Sequence, residues 1–334
     1  MSELVRTKVG EWDVPLRTEV RNLSLLEDSV VARSLVEYTD PHGESNHIPG
    51  FSVAESTERA RCVSRYEVLE RLVATYDFQV GKLGRQEFET FLWPSGKPVA
   101  SANPDDVLIS NNAPQQLDID NNANGLAHHA TLDDAVRHAI CELVERHLFT
   151  QVWWSDYPLI ETTSPTVAPD YRVECYRPAT DRIPFCLAVV KSESEDLWVC
   201  GTAVDFSMTA ARRHAVEEAC MLAENYIRGM TELIFQEDQE KAKRLKSIAS
   251  PLSQDRSKHL ISRIRTDIAD PPEPLHTDSV EKLVSTVVGD ASILITPLWD
   301  SSNRTVVRAR SPDLNSVREV RKNNNEQAPM DPFL

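Results

Sequence analysis

Two glutamates three residues apart, followed at once by an arginine, occur twice in this chain. One set reads Ser64-x-x-Glu67-x-x-Glu70-Arg71, the other Ala139-x-x-Glu142-x-x-Glu145-Arg146, and a third acidic group, Glu217, Glu218 and Glu224, follows. On a helix, residues three apart leave from the same side, so each pair can aim two carboxylates at one point. Exposed like-charge pairs repel by roughly 0.2–0.5 kcal/mol, and converging several of them needs something positive between. Mg2+ suits that place, because it prefers oxygen ligands and bridges carboxylates to nucleotide phosphates. The plainer alternative makes Glu67 with Arg71, and Glu142 with Arg146, i,i+4 ion pairs on a solvated helix face. Spacing alone leaves both readings open.

Three long helices must position these groups. The first is expected to open at Ser52, with Glu55 completing a capping box, and to run to about Tyr76. The second opens at Thr131, with Asp134 at the same offset, and runs LDDAVRHAICELVERHLFTQVWW. The third begins near Thr209, runs AARRHAVEEACMLAENYIRGM and stops near Gly229. All three carry apolar residues at three- and four-residue spacing, the mark of one buried face. Strand-like stretches fall at 106–110, 171–178, 184–191, 197–204, 292–299 and 304–311. The pattern predicts an α/β or α+β fold, with long glutamate-rich helices packed on mixed sheets. We expect one domain over 1–334, with 1–45 as an N-terminal extension within it. Residues 235–280 read as a mobile or inserted segment and 323–334 as an extended proline-containing tail. No fixed-period repeat is evident.

Composition narrows the partners. The 334 residues carry 36 Lys+Arg against 52 Asp+Glu, a net charge of −16, which disfavours a nucleic-acid backbone as main partner. No apolar run approaches the roughly 20 residues of a membrane helix, and the N-terminus lacks an apolar signal core, so cytoplasm is the expected location. Cys62, Cys141, Cys175, Cys186, Cys200 and Cys220 stand singly, which offers neither a zinc site nor a disulfide framework and predicts buried thiols. His128, His129, His138 and His147 lack ligand spacing for a transition metal, and Trp153-Trp154 reads as packing against a sheet. No GxGxxG or GxxxxGK[ST] loop occurs, so neither a dinucleotide enzyme nor a P-loop kinase is supported.

The serine-led ExxER helix, taken with a second block ANGLAHHATLDDAVRHAICELVERH (123–147), resembles the YcaO family. Its members carry the same helix and a block of the form SNGLAAG…EA…ELIERD. The family's third block looks like GTAVDFSMTAARRHAVEEACMLAEN (201–225), and its C-terminal strand before a proline looks like VVRARSPDL (306–314). Pro329 and Pro332 fit its proline-rich tail loosely. The resemblance implies an ATP- and Mg2+-dependent enzyme acting on the backbone of a ribosomally made precursor peptide. In the commonest chemistry a Cys, Ser or Thr side chain attacks the preceding carbonyl and ATP activates the amide oxygen as a leaving group, giving an azoline. It further implies Glu67, Glu70, Glu142, Glu145 and Glu218 as metal ligands, with Glu145 and Glu218 catalytic. Ser64, Glu67, Arg71, Asn124, Arg146 and Arg308 would bind the nucleotide. A leader-peptide-binding partner protein is expected, within a homodimer or hetero-oligomer. Departures are Ile48-Pro49-Gly50 without the usual lysine, Ala139 for a polar residue, His129 for a glycine, and Met221 or Leu222 for a glutamine. They keep open a scaffold subunit without ATP turnover.

Overall fold

The computed structural model describes residues 2–9, 12–39, 43, 45–109, 123–155, 157–192, 194, 197–227, 253–268, 270–301 and 304–314. They form two compact units. The first comprises Met1–Arg21, Val30–Leu143 and Asp290–Leu314; the second holds Asn22–Ser29 and Val144–Gly289.

In the first unit, β1 (Ser2–Val9), β2 (Trp12–Asn22), β3 (Val30–Thr39) and β4 (Ser45–Ala54) pair antiparallel in chain order. Three of these strands come from the stretch read as an extension. Along β2, Val14, Leu16 and Thr18 are buried between more exposed neighbours, the period of a half-buried strand. Helix α1 (Thr57–Ala74) follows and packs on β3 and β4. It starts later than expected. Ser52 lies in β4 opposite Ala32, and Ser56 is the N-cap, its hydroxyl accepting the Arg59 N–H at 3.3 Å. Ladder pairing of Phe51, Ser52 and Val53 with β3 prevails over the capping-box pattern four residues too early.

A second sheet of this unit, in the order β6-β5-β12-β13-β7, is built from β5 (Phe91–Trp93), β6 (Lys97–Pro98), β7 (Leu126–His129), β12 (Ile293–Ser301) and β13 (Arg304–Arg310). Helix α1 also touches β7 and β12, so Val68, Leu72 and Val73 share a core with Leu16, Val36, Leu298 and Val306. Of the stretch 106–110, the described residues, through Ile109, are not a strand. Pro104–Val107 is a short helix, α2, with Asn103 and Asp106 forming its capping box, and only Ile109 bridges, to Thr75. Proline at the first helical position fixes the turn that the apolar run obscures.

Helix α3 (Leu132–Trp154) begins where expected, with the Thr131 hydroxyl accepting the Asp134 N–H and donating to its carboxylate. Its residues through Leu143 count with the first unit, those from Val144 with the second. The second unit holds β8 (Leu159–Thr162), β9 (Arg172–Pro178), β10 (Phe185–Ser192) and β11 (Leu197–Val204), again antiparallel in chain order, then α4 (Met208–Ile227). Because side chains alternate across a strand, Gly201 faces α4 while Trp198 faces α3, where it meets Trp153 with ring centroids 5.9 Å apart. That contact is the expected tryptophan packing on a sheet. Of the segment 235–280, the residues up to 252 lie outside the described ones. From there α5 (Ser253–Ile261) buries Leu260 and sets His259 Nε2 2.7 Å from the Trp153 carbonyl. Helix α6 (Val280–Val288) precedes β12. The tail 323–334 lies outside the described residues. All ladders between the strands named here are antiparallel, the α+β side of the expectation.

The two units contain the same device. In each, a four-stranded meander ends in a strand glycine pressed on the following helix. A Cβ on Gly50 would lie 2.4 Å from the Ser64 carbonyl oxygen, and one on Gly201 2.4 Å from that of Ala215. The next residue, Phe51 or Thr202, donates its backbone N–H to a glutamate sixteen residues on, Glu67 or Glu218. Each helix is capped by a serine: the Ser56 hydroxyl accepts from Arg59 N–H, that of Ser207 from Ala210 N–H. One spacing therefore aligns Gly50, Ser56, Ala60 and Glu67 with Gly201, Ser207, Ala211 and Glu218. It is a two-copy repeat of structure, with too few identities to register as a sequence period.

Candidate functional site

On α1 the glutamate pair is half-buried. Glu67 accepts the Phe51 N–H and pairs with Arg71, whose other terminal nitrogen donates to the Pro49 carbonyl at 3.2 Å. Burial raises the Glu67 carboxyl above its ordinary range, and Arg71 and the Phe51 N–H pull it partly back. Burial, then the neighbouring Glu67, push Glu70 up to about 8, against Arg71 and the backbone N–H of His128. The i,i+4 ion pair of the plain reading therefore exists, on a half-buried stretch of the helix, with the Arg71 side chain 37% and that of Glu67 25% exposed.

The loop expected to bind nucleotide meets this helix through β7. Asn124 precedes Gly125, whose φ of +71° favours glycine and whose Cβ would sit 2.3 Å from the Ala309 carbonyl oxygen. The turn thus docks on β13, where Arg308 is opposite Leu126 and donates to the Val107 carbonyl at 3.3 Å. Ser64 is placed differently. Its fully buried hydroxyl joins Ser34 at 2.8 Å, and Ser34 joins Thr18 at 2.9 Å, so it ties α1 to the sheet beneath.

In the second unit Glu145 and Glu218 meet at one residue. The Thr202 hydroxyl donates to Glu145 Oε1 at 2.7 Å, and its backbone N–H donates to Glu218 Oε2 at 2.8 Å. Arg146 stands 3.6 Å from Glu145. Burial raises the Glu145 carboxyl, while Arg146, the Thr202 hydroxyl, the Val204 N–H and His214 oppose the rise. Glu142 lies one helical turn earlier on α3 and is half-buried. Thr202 carried no mark in the sequence; the shared spacing of Gly201 and Glu218 with Gly50 and Glu67 was the signal that could have found it.

The other candidates resolve into packing. Burial takes His128 and His147 down to about 4, so both are neutral. The His128 ring lies against Tyr66 and Trp299, with centroids 4.5 and 6.1 Å away, and His129 stacks on His138. Five cysteines are buried as expected. Cys62 is exposed, because it lies on the outer side of α1.

The donor set fits Mg2+. Among the described residues no three His, Cys, Asp or Glu side chains gather at metal-binding range, and the carboxylates come in twos. Two suffice, because Mg2+ is commonly held by one or two carboxylates plus phosphate oxygens and water. Like charges kept side by side in a half-buried place, as at Glu67 and Glu70, favour a proton or a cation between them.

A pH dependence follows for the metal-free chain. A carboxyl held at about 8 in the fold, against an ordinary value near 4.5, binds its proton more tightly folded than unfolded. That contribution is full below about pH 4.5 and is lost as the pH rises through about 8. Glu70→Gln should therefore raise the melting temperature at pH 8.5 and leave it unchanged at pH 4. Mg2+ should stabilise the wild type more at pH 8.5 than at pH 6, because metal and proton compete for the same carboxylate. Melting curves over this range check both, and an equal effect of Glu70→Gln at the two ends would contradict the assignment.

The sequence profile of the YcaO cyclodehydratase family, described as ATP- and Mg2+-binding, matches residues 107–292, more than half of the chain. No curated protein matches at a significant level. Among solved structures, the fold is similar to YcaO from Methanopyrus kandleri bound with AMPPCP and Mg2+, with a TM-score of 0.58 and 14% identity over 94% of this chain and 89% of that one. It is similar also to the E. coli microcin synthetase McbBCD complex with pro-MccB17 bound, with a TM-score of 0.62 and 13% identity over 93% and 91% of the two chains. A heterocyclase in complex with substrate and cofactor matches with a TM-score of 0.59 and 13% identity; 99% of this chain covers 53% of that one, about half its length. At these identities the likeness is one of fold, and it extends well beyond the residues of the family match.

Proposed function

The chain belongs to the YcaO family, and we propose that it modifies a ribosomally made precursor peptide in an ATP- and Mg2+-dependent step, as a subunit of a multi-protein synthetase. The step would close Cys, Ser or Thr side chains onto the preceding carbonyl to form azolines. Bound MgATP would supply the phosphoryl group that turns the amide oxygen into a leaving group. An amide oxygen departs poorly, and phosphoryl transfer asks the protein mainly for positioning and charge neutralisation.

The observation that carries this reading is that both glutamate–arginine sets are half-buried and engaged by groups of the fold. Glu67, Glu70 and Arg71 on α1, and Glu145 and Arg146 on α3, are engaged by backbone and side-chain groups of the fold. In this reading Glu70, Glu142 and Glu145 hold metal and Glu67 shares that duty with its ion pair. Arg71, Arg146 and Arg308, with Asn124, serve the nucleotide, and Glu218 supports Glu145. The chain's own residues thus bind and orient. A partner that captures the leader peptide would complete the subunit, as a complex with pro-MccB17 exists for the microcin synthetase neighbour. The scaffold alternative draws on the apolar Met221 and Leu222 of α4 and on Ser64, whose hydroxyl lies inside the core.

Titration of the purified chain with AMPPCP and Mg2+, alone and with the products of neighbouring genes, decides between them. The proposal expects Mg2+-dependent binding by calorimetry. A chain that takes up no nucleotide in either state, yet still assembles with its partners, is the scaffold.

A further inference from the structure

The two-copy device separates what Glu218 does from what Glu145 does. In the first copy the clamp glutamate, Glu67, is followed by Glu70 and Arg71; the aligned positions after Glu218 are Met221 and Leu222. The clamp is thus present in both copies, whereas the second acid and the arginine occur in one. What the copies share is geometric: a strand glycine against the helix, and the next backbone N–H held by the glutamate. The residue at that N–H differs. Phe51 offers no side-chain donor, whereas Thr202 points its hydroxyl from the face of β11 opposite α4 to Glu145 Oε1, at 2.7 Å.

We infer that Thr202 is a positioning residue for Glu145, fixed in turn by Glu218, so that Glu218 acts through the strand and not as a metal ligand. This rests on the reading of Glu145 as metal-facing. With Oε1 engaged by the hydroxyl, and the Val204 N–H also donating to the carboxylate, the group is set in one orientation. Partners one step behind a metal ligand orient it in this way, and their loss commonly lowers metal affinity 10- to 100-fold.

Thr202→Val is the test. It keeps the backbone N–H for Glu218 and the β-branched shape that suits a strand, and removes only the hydroxyl. Mg2+ is titrated into the full chain with AMPPCP present, alongside melting curves. We expect the half-saturating Mg2+ concentration to rise about tenfold with the melting temperature little changed. Thr202→Ser, which restores the donor, should bind as the wild type does. Glu218→Gln keeps an oxygen for the Thr202 N–H and should weaken Mg2+ less than Thr202→Val. Mg2+ affinity unaltered in Thr202→Val, a serine variant as weak as the valine one, or a larger loss in Glu218→Gln overturns the inference and leaves the proposed function standing. A wild-type chain that binds no Mg2+ with AMPPCP overturns the functional reading, and this inference with it.

Discussion

Glu145→Gln is expected to weaken Mg2+ binding in the presence of AMPPCP by about 100-fold or more, beyond the loss from removing a mere supporting partner, and to leave the melting temperature equal or slightly raised. The two halves of this result have separate causes. Glutamine keeps the length of the side chain and an oxygen that accepts the Thr202 hydroxyl, so the contact at 2.7 Å survives. It removes a charge whose burial already raises the carboxyl above its ordinary range, which relieves the fold at neutral pH. It also removes an anionic ligand, which a hard divalent cation does not forgo lightly. ATP consumption in the reconstituted complex should fall by a similar factor. Binding and turnover that survive the substitution unchanged would remove Glu145 from the site. A parallel collapse of the melting temperature would make it a fold residue instead.

The second large effect belongs to the glycines. Gly50→Ala and Gly201→Ala should each destabilise the chain by about 3 kcal/mol, the upper end for overpacking, and lower the melting temperature by roughly 5–10 °C. The added Cβ would lie 2.4 Å from a helix carbonyl oxygen in both cases, and 2.7 or 2.6 Å from the amide nitrogen of Val68 or Ala219. These are backbone atoms that no rotamer change can move aside, so the helix must shift away from its strand. Gly201→Ala should also weaken Mg2+ binding, since it displaces Thr202 from between Glu218 and Glu145. Paired thermal melts check the first claim, and a change under about 2 °C in either variant would mean that the close approach is not part of the fold.

The sequence by itself determined the long helices and the strands β9 to β13, but not the eight strands before them. Apolar spacing and β-branched runs are local signals, so β11 at 197–204 and α3 from Thr131 were legible to the residue. The paired ExxER sets and the asparagine–glycine turn were legible too, because a motif keeps its spacing within one element. The start of α1 was not, since Ser52 and Ser56 are both good caps and only the pairing of β4 with β3 chooses between them. Tertiary structure alone decided which polar groups close onto the core and which pair with one another. Ser64 and Glu67 lie on one helix within a turn of each other. Yet Ser64 closes a hydroxyl chain with Ser34 and Thr18, while Glu67 reaches Phe51 and Arg71. Thr202 has no chemistry of its own that a sequence could advertise. Its contacts with Glu145 and Glu218 arise because β11 presents alternate faces to α3 and α4, and such contacts depend on distance in space between residues far apart in the chain.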